Sequence, residues 1–345
     1  MDRPRLLTPA RPTGMTRRSV LGLGAAAASA LMLPGCSRGR ADEPAPAGPA
    51  TFATGNAGGV YAVFGSALSG LVSEVTGMEL KPVLTNGSID NLMRVASGKA
   101  DLGFATSDTA LAAYEGSGQF DTGRLKFSAL ARVYDNYVHV VVPMASNASK
   151  LEDLNQKDPK KPPLVVSVGP TTSGTRVVAD LILAAAGVTV TKKYLTLEDA
   201  VKQLEDKANG KNPKGIDALI WSGGVPTDPI KELQKSIGFR LLDIGPVAEK
   251  IALTRFGGYV VSSIPPSQYG LASSVATLAI PNYLVTKPTL SDSWAWWTVN
   301  TLFRRQNDLV KNHPEAGALD PRSAIATMPV PLHAAAERWY RNNHI

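Results

Sequence analysis

Thr51-Phe52-Ala53-Thr54-Gly55-Asn56-Ala57-Gly58-Gly59 runs from a short strand into a turn of small residues, and a helix begins directly behind it. Val60, Val63, Phe64, Ala67, Leu68, Leu71, Val72 and Val75 recur at helical spacing on one face, and Gly77 stops the run. The same order then repeats. Leu80 to Leu84 reads as a strand and Thr85-Asn86-Gly87-Ser88 as a turn. Ser88 is suited to cap a helix that carries Ile89, Leu92, Met93 and Ala96 and closes at Gly98. Asp101 to Ala105 is a third strand, leading through Thr106-Ser107-Asp108 into another helix. Strands and helices alternating across short connections predict an α/β fold with a mainly parallel sheet.

The pattern restarts downstream. Leu164 to Val168 is a strand, Gly169 to Gly174 a turn, and Thr175 to Ala186 a helix ended by Gly187. A second helix spans Leu197 to Ala208, and Ile216 to Trp221 is a strand that opens onto Ser222-Gly223-Gly224-Val225-Pro226. Both halves place Gly and Asp before a strand, in Gly98-Lys99-Ala100-Asp101 and in Lys214-Gly215-Ile216-Asp217. Two lobes built alike are expected. The strand His139 to Val142 carries the chain from one to the other, and Thr277 to Val285 brings it back. Lobe I then holds 51–138 and 277–345, and lobe II holds 139–276. The tail from Leu290 reads as helical.

Four strand-to-helix turns are rich in Gly, Ser, Thr and Asn: 54–59, 85–88, 169–175 and 222–227. In parallel α/β sheets such turns gather at the carboxyl edge of the strands, where ligands bind. Each offers backbone N–H groups and hydroxyls at a helix start, where free donors and the dipole favour an anion. One such turn does no more than cap its own helix; four on two facing lobes point to a cleft for a small carboxylate. Gly169 to Gly174 has the glycine spacing of a Walker A loop, but Thr175 and Arg176 stand where Lys and Ser/Thr are required, which excludes that nucleotide site. Arg176 either pairs with a ligand carboxylate or serves as a surface arginine.

Catalytic patterns are missing. No histidine pair has metal-ligand spacing and no G-x-S-x-G elbow occurs, so neither an enzyme nor a metal or cofactor is expected. His139 reads as a hydrogen-bonded core histidine, His313 and His344 as exposed tail residues, and His333 as a cap. Asp101 and Asp217 read as turn stabilisers, and Trp294, Trp296, Trp297 and Trp339 as core or lobe-bridging residues.

Upstream of the folded part, Arg17 and Arg18 precede a 14-residue apolar run from Val20 to Leu33. That run is shorter than the roughly 18–20 residues a spanning helix needs and fits a twin-arginine export signal. Leu33-Pro34-Gly35-Cys36 resembles a lipobox, so 1–36 reads as a lipoprotein signal with Cys36 lipidated, and Met15 is an alternative start. Residues 37–50, with three prolines among small residues, read as a disordered tether. The protein is then exported and lipid-anchored at the outer face of the cell membrane, with about 300 residues beyond the tether's start, enough for two cores. The formal charge of +7 includes +4 from five Arg and one Asp in residues 1–35, leaving +3, scattered and without the stripe of a nucleic-acid binder. Cys36 is the only cysteine, so no intrachain disulfide can form.

Taken in order, several short motifs resemble the TAXI-type solute receptors of tripartite ATP-independent periplasmic (TRAP) transporters. They are Thr54 to Tyr61, Gly87 to Leu92, Gly98 to Leu102, Ser107-Asp108, Ala113 to Gly116, Val138 to Val142, Gly169 to Thr175, Ile216 to Ala218, Gly223 to Pro226 and Pro329 to Tyr340, spread over 51–342. The resemblance implies a periplasmic-binding-protein type II fold. Its two lobes would close on a small organic anion, such as glutamate, glutamine or a dicarboxylate, and hand it to TRAP membrane subunits. Carried over by position, Thr54, Gly55, Asn56, Tyr61, Asn86, Gly87, Ser88 and Ser107 would line one wall. Thr172, Ser173, Gly174, Thr175, Ser222, Gly223 and Val225 would line the other. Thr106 stands where the family often has Gln, and Asn209 to Lys214 lengthens the approach to Ile216. A monomer is expected. The alternative is a surface lipoprotein whose cleft serves a signalling kinase.

Overall fold

Parallel pairing of β1 (Ala50–Ala53), β2 (Leu80–Val83) and β3 (Leu102–Thr106) follows from the helices that return the chain between them, α1 (Val60–Thr76) and α2 (Ser88–Ala96). A third helix, α3 (Ser107–Glu115), leaves β3 directly. The structure, a computed structural model, describes residues 43–156, 158–254 and 258–345. The expected export signal, Cys36 and the first part of the expected tether lie outside the described residues.

β4 (Ser128–Pro143) is much longer than the strand expected at 139–142. Its first nine residues include Arg132, Asp135 and Asn136, which break the apolar pattern; Arg132 and Asp135 pair with each other at 2.9 Å. Beyond it come β5 (Val165–Ser167), α4 (Gly174–Ala185), β6 (Thr191–Lys193), α5 (Leu197–Ala208), β7 (Ala218–Gly223) and α6 (Asp228–Ser236). After these follow β8 (Phe239–Leu241), α7 (Gly245–Thr254), β9 (Val260–Ile264), the short α8 (Pro266–Tyr269) and β10 (Val275–Thr286). The tail is helical as expected: α9 (Asp292–Arg304), α10 (Gln306–Asn312), a 3-10 turn at Pro314–Ala318, α11 (Pro321–Ala324) and α12 (Ala334–Asn342).

The sheet order is β2-β1-β3-β10-β4-β7-β5-β6, with β8 beside β4 and β9 beside β10. Two parallel groups thus flank the antiparallel strands β4 and β10, and each long strand changes partner midway. β4 pairs with β10 up to Tyr137 and with β7 from Tyr137 to Val141. β10 pairs with β9 up to Ala279 and with β3 from Asn282 onward. Both changes fall at one level, beside the register shift between Pro281 and Tyr283.

The apolar interior divides at the same level. One set of buried residues, including Phe52, Phe64, Leu68, Leu102 and Trp339, takes Tyr134 from β4 and Leu284 from β10. Another, including Val166, Ile182 and Ile220, takes Val138 and Ile280 from those strands. Each large side chain removed from water contributes about 1.5–3 kcal/mol, so either half holds a core of its own. Two lobes joined through strands that run across both is the fold.

Asp101 and Asp217 occupy equivalent places. Oδ2 of Asp101 accepts the Thr51 N–H at 2.7 Å and Oδ2 of Asp217 accepts that of Val165 at 2.8 Å, each tying its own strand entry to the start of the next strand. Lys287 and Lys207 neutralise them. The expected tether is shorter than 37–50 at its far end: Pro46 is buried, Trp297 Nε1 donates to the Pro44 carbonyl at 3.1 Å, and Ala50 already belongs to β1. Proline rings supply apolar surface there beside the half-buried indole of Trp297 in α9.

Candidate ligand-binding site

Four helices begin at the level where the two halves meet. Gly59, Gly87 and Thr106 precede α1, α2 and α3 in one lobe, and Ser173 precedes α4 in the other. Ser173 is a true cap: its Oγ accepts the Arg176 N–H at 3.1 Å and donates to the Pro170 carbonyl at 2.8 Å. Gly87 has φ +112°, a conformation that L side chains rarely adopt. Gly174 is required by proximity, since a Cβ there would stand 2.7 Å from Ser88 Oγ and 2.9 Å from Thr106 Oγ1. Helix starts from opposite lobes therefore approach almost backbone to side chain.

Between them lies a cavity lined by residues of both lobes. Of the residues expected from sequence, the structure brings to its wall Gly55, Asn56, Tyr61, Asn86, Gly87 and Ser88 from lobe I. Ser173, Gly174, Thr175, Ser222 and Gly223 come from lobe II. Thr54, Ser107, Thr172 and Val225 lie off the wall. Thr54 is buried and its Oγ1 donates to the Val83 carbonyl at 2.9 Å. The other three make contacts between the lobes. Ser107 Oγ lies 3.4 Å from the Gly258 carbonyl, the Thr172 carbonyl accepts the Asp90 N–H at 3.0 Å, and the Val225 N–H meets Glu315.

Gly59 and Val60, within the expected segment 54–61, also line the cavity, as do Thr106, Asn136 and Trp221, which were not among the expected residues. Thr106 precedes the expected Ser107, and Trp221 precedes Ser222. Asn136 had no such signal, because it sits in the middle of a long strand and reaches the site only through the partner change of β4.

A buried polar relay ties this floor to both crossing strands. The Tyr61 hydroxyl donates to Asn282 Oδ1, and Asn282 Nδ2 donates to the Tyr134 carbonyl at 3.0 Å and to Asn136 Oδ1 at 2.9 Å. Desolvation raises the Tyr61 hydroxyl well above its ordinary pKa, so it stays protonated and serves as a donor. Thr175 Oγ1 accepts the Ser222 N–H at 3.2 Å, whereas Ser222 Oγ and Trp221 Nε1 have no hydrogen-bond partner among the described residues.

Further bonds join the lobes around the cavity. Asn56 Oδ1 accepts the Leu197 N–H at 3.1 Å, and the Tyr259 hydroxyl donates to Asp108 at 2.6 Å. Near the crossing strands, Glu315 Oε1 accepts the Val225 N–H at 2.6 Å and His313 Nε2 meets the Pro226 carbonyl at 3.0 Å. The expectation that His313 is exposed is corrected: it is buried because the loop after β7 folds over it. Burial pushes the Glu315 carboxyl up to about 7, assisted by Asp135 and opposed by the Val225 bond. Arg176 turns along its own helix, toward Asp180 at 3.5 Å and the Thr171 carbonyl at 3.0 Å, and also meets Gln119 at 3.2 Å. His139 is a core histidine as expected, bonded through Nε2 to the Tyr269 hydroxyl at 2.8 Å and pushed by burial down to about 4.

Residues 52–343 match the NMT1-like family. Among solved structures, the chain is similar to MatC from Rhodopseudomonas palustris with bound malate, at TM-score 0.54 and 15% identity over 86% of this chain and 99% of that one. It is also similar to the alkanesulfonate-binding protein SsuA from Xanthomonas axonopodis pv. citri bound to MOPS, at TM-score 0.45 and 17% identity over 88% of this chain and 85% of that one. The likeness to MatC is one of fold.

Proposed function

The chain belongs to the NMT1-like family, and from that premise we propose that it is an extracytoplasmic solute-binding protein that captures a small organic anion for a membrane transporter. The observation that carries this reading is the cavity between the lobes, walled by helix starts, hydroxyls and amides and bridged on several sides by bonds between the lobes. A ligand gripped by both walls stabilises the closed arrangement because it has far fewer contacts when the walls separate. Hinge motion would be absorbed where β4 and β10 change partners. We take 51–138 with 277–345 as lobe I and 139–276 as lobe II; the division of the apolar interior supports this away from the crossings, where Val138, Leu278 and Ile280 pack into the second core.

The ordered motifs from Thr54 to Tyr340 favour a TAXI-type receptor delivering to TRAP membrane subunits, with the body held at the outer membrane face through lipidated Cys36. No catalytic role is proposed for the cleft. A thermal-shift series with amino acids, dicarboxylates and other small anions tests the reading, since a ligand that binds only the folded form raises the melting temperature by an amount that grows with the logarithm of its concentration over Kd. A melting temperature that no small solute moves would oppose it.

A further inference from the structure

Lobe II carries a second concavity, which shares no lining residue with the interlobe cavity. It lies between β8, Met144 just past β4, and the loop from α8 into β10, with Phe239, Leu241, Leu271 and Val275 among its walls. Met144 is 50% exposed, so apolar surface reaches solvent here. The chain beside it avoids charge: Gly258 to Thr286 contains no Asp, Glu, Lys, Arg or His, although Ala272, Ser273 and Ser274 face water. Arg240 alone is charged on the lining. Its Nη2 donates to the carbonyls of Ser146 and Ala148, which hold the side chain against the loop after β4. Its Nε is buried without a hydrogen-bond partner, and no carboxylate meets its guanidinium among the described residues. Arg94, Arg132, Arg176, Arg305, Arg338 and Arg341, by contrast, each pair with an Asp or Glu. Carbonyl oxygens disperse the Arg240 charge without cancelling it. An apolar groove thus holds one cation that lacks a counter-ion.

We infer that this groove binds a fatty acid, its carboxylate on Arg240 and its alkyl chain along Met144, Leu271 and Val275. A guanidinium is planar and always charged, and its paired N–H donors match the two oxygens of a carboxylate. An alkyl chain needs no hydrogen-bond partners, and the lining has few to give: besides Arg240, only Gln234 and Ser273 carry polar side chains. A bound peptide would bring one amide after another, each costly to bury unpaired. A small hydrophilic anion would meet Arg240 and leave Met144 and Leu271 against water. An anion with an apolar tail uses both parts of the groove.

Titration calorimetry tests this on the full chain, stripped of bound lipid on a hydrophobic resin, with each probe below its micelle-forming concentration. A single decanoate per chain is expected to bind at least about tenfold tighter than decanol, which lacks the charge, and than acetate, which lacks the tail. Affinity should rise by up to about fourfold per methylene from octanoate to laurate. Arg240→Met keeps an unbranched apolar side chain and removes the charge; it should weaken decanoate at least about tenfold and leave decanol unchanged. Because that variant also strands two carbonyls, Met144→Glu is a second test at a half-exposed position. A carboxylate there should lower decanoate affinity at least about threefold with the melting temperature retained. Decanoate that binds both variants as it binds the parent chain sits elsewhere, the interlobe cavity included, and overturns the assignment. No binding, several decanoates per chain, or decanol bound as tightly as decanoate overturns it too.

Discussion

Glu315 Oε1 accepts the Val225 N–H at 2.6 Å, joining the helical tail of one lobe to the loop after β7 of the other. The carboxyl faces Asp135 on β4, and the neighbouring His313 ring engages the Pro226 carbonyl. Opening would return Glu315 to water and to an ordinary carboxylate pKa of about 4.3. Closed, it is pushed up to about 7, chiefly by burial. The closed form therefore holds the proton more tightly. Its advantage is complete below the open-form value and is lost as pH rises through about 7.

Solute affinity should accordingly weaken between pH 5.5 and 7, by at most about tenfold per pH unit for one linked proton, and level off above that. Calorimetry in buffers of different ionisation enthalpy should register proton uptake on binding in the same window. Glu315→Gln should flatten both; an unchanged slope in that variant would assign the proton to another group.

Asn282→Ala should destabilise the protein by about 1–3 kcal/mol, because it strands the Tyr61 hydroxyl and the Asn136 amide in a buried place. Urea unfolding of the unliganded protein measures this. A loss within a few tenths of a kcal/mol would mean that the relay is replaced without cost.

Ser173 and Ser222 should separate stability from binding. Ser173 Oγ caps α4, so Ser173→Ala should cost about 1 kcal/mol of unliganded stability as well as affinity. Ser222 Oγ has no partner among the described residues, so Ser222→Ala should leave stability unchanged while solute affinity falls about tenfold, the worth of one hydrogen bond to a charged group. Unaltered affinity would remove Ser222 from the site.

Asn56 holds the Thr85 carbonyl through Nδ2 at 2.9 Å and the Leu197 N–H through Oδ1 at 3.1 Å, so one side chain spans the lobes. Asn56→Ala should speed solute release about three- to tenfold by weakening the closed form, with a smaller effect on capture rate. Stopped-flow fluorescence, using Trp221 at the cavity wall as reporter, distinguishes the two rates.

Much of this arrangement was legible because it is encoded locally. Gly55, Gly87 and Gly174 sit where a strand must turn sharply into a helix, and each lies on the cavity wall. The equivalent roles of Asp101 and Asp217 could be read for the same reason. What escaped depends on distant partners. β4 mixes Arg132, Asp135 and Asn136 into an apolar strand, because these polar groups find partners in neighbouring strands and in each other. Asn136 reaches the cavity only through that register. His313 read as a tail residue because nothing near it in the chain announces the loop that covers it. Thr54 and Val225 lie within the right turns, yet their backbone and side-chain bonds face away from the cavity, a matter of strand phase that spacing alone does not fix.

Closure around a solute is the central claim, and one distance measures it most directly. Leu84 and Tyr194 are 60% and 47% exposed, and Leu84 shares an interlobe groove with Thr196. Spin labels at Leu84→Cys and Tyr194→Cys, in a chain with Cys36→Ser, report the separation of the lobes by pulsed electron resonance. Solute-free protein should give a long or broad distance distribution that becomes short and narrow when a small anion that raises the melting temperature is added at saturating concentration. One unchanged distribution with every such solute would contradict it.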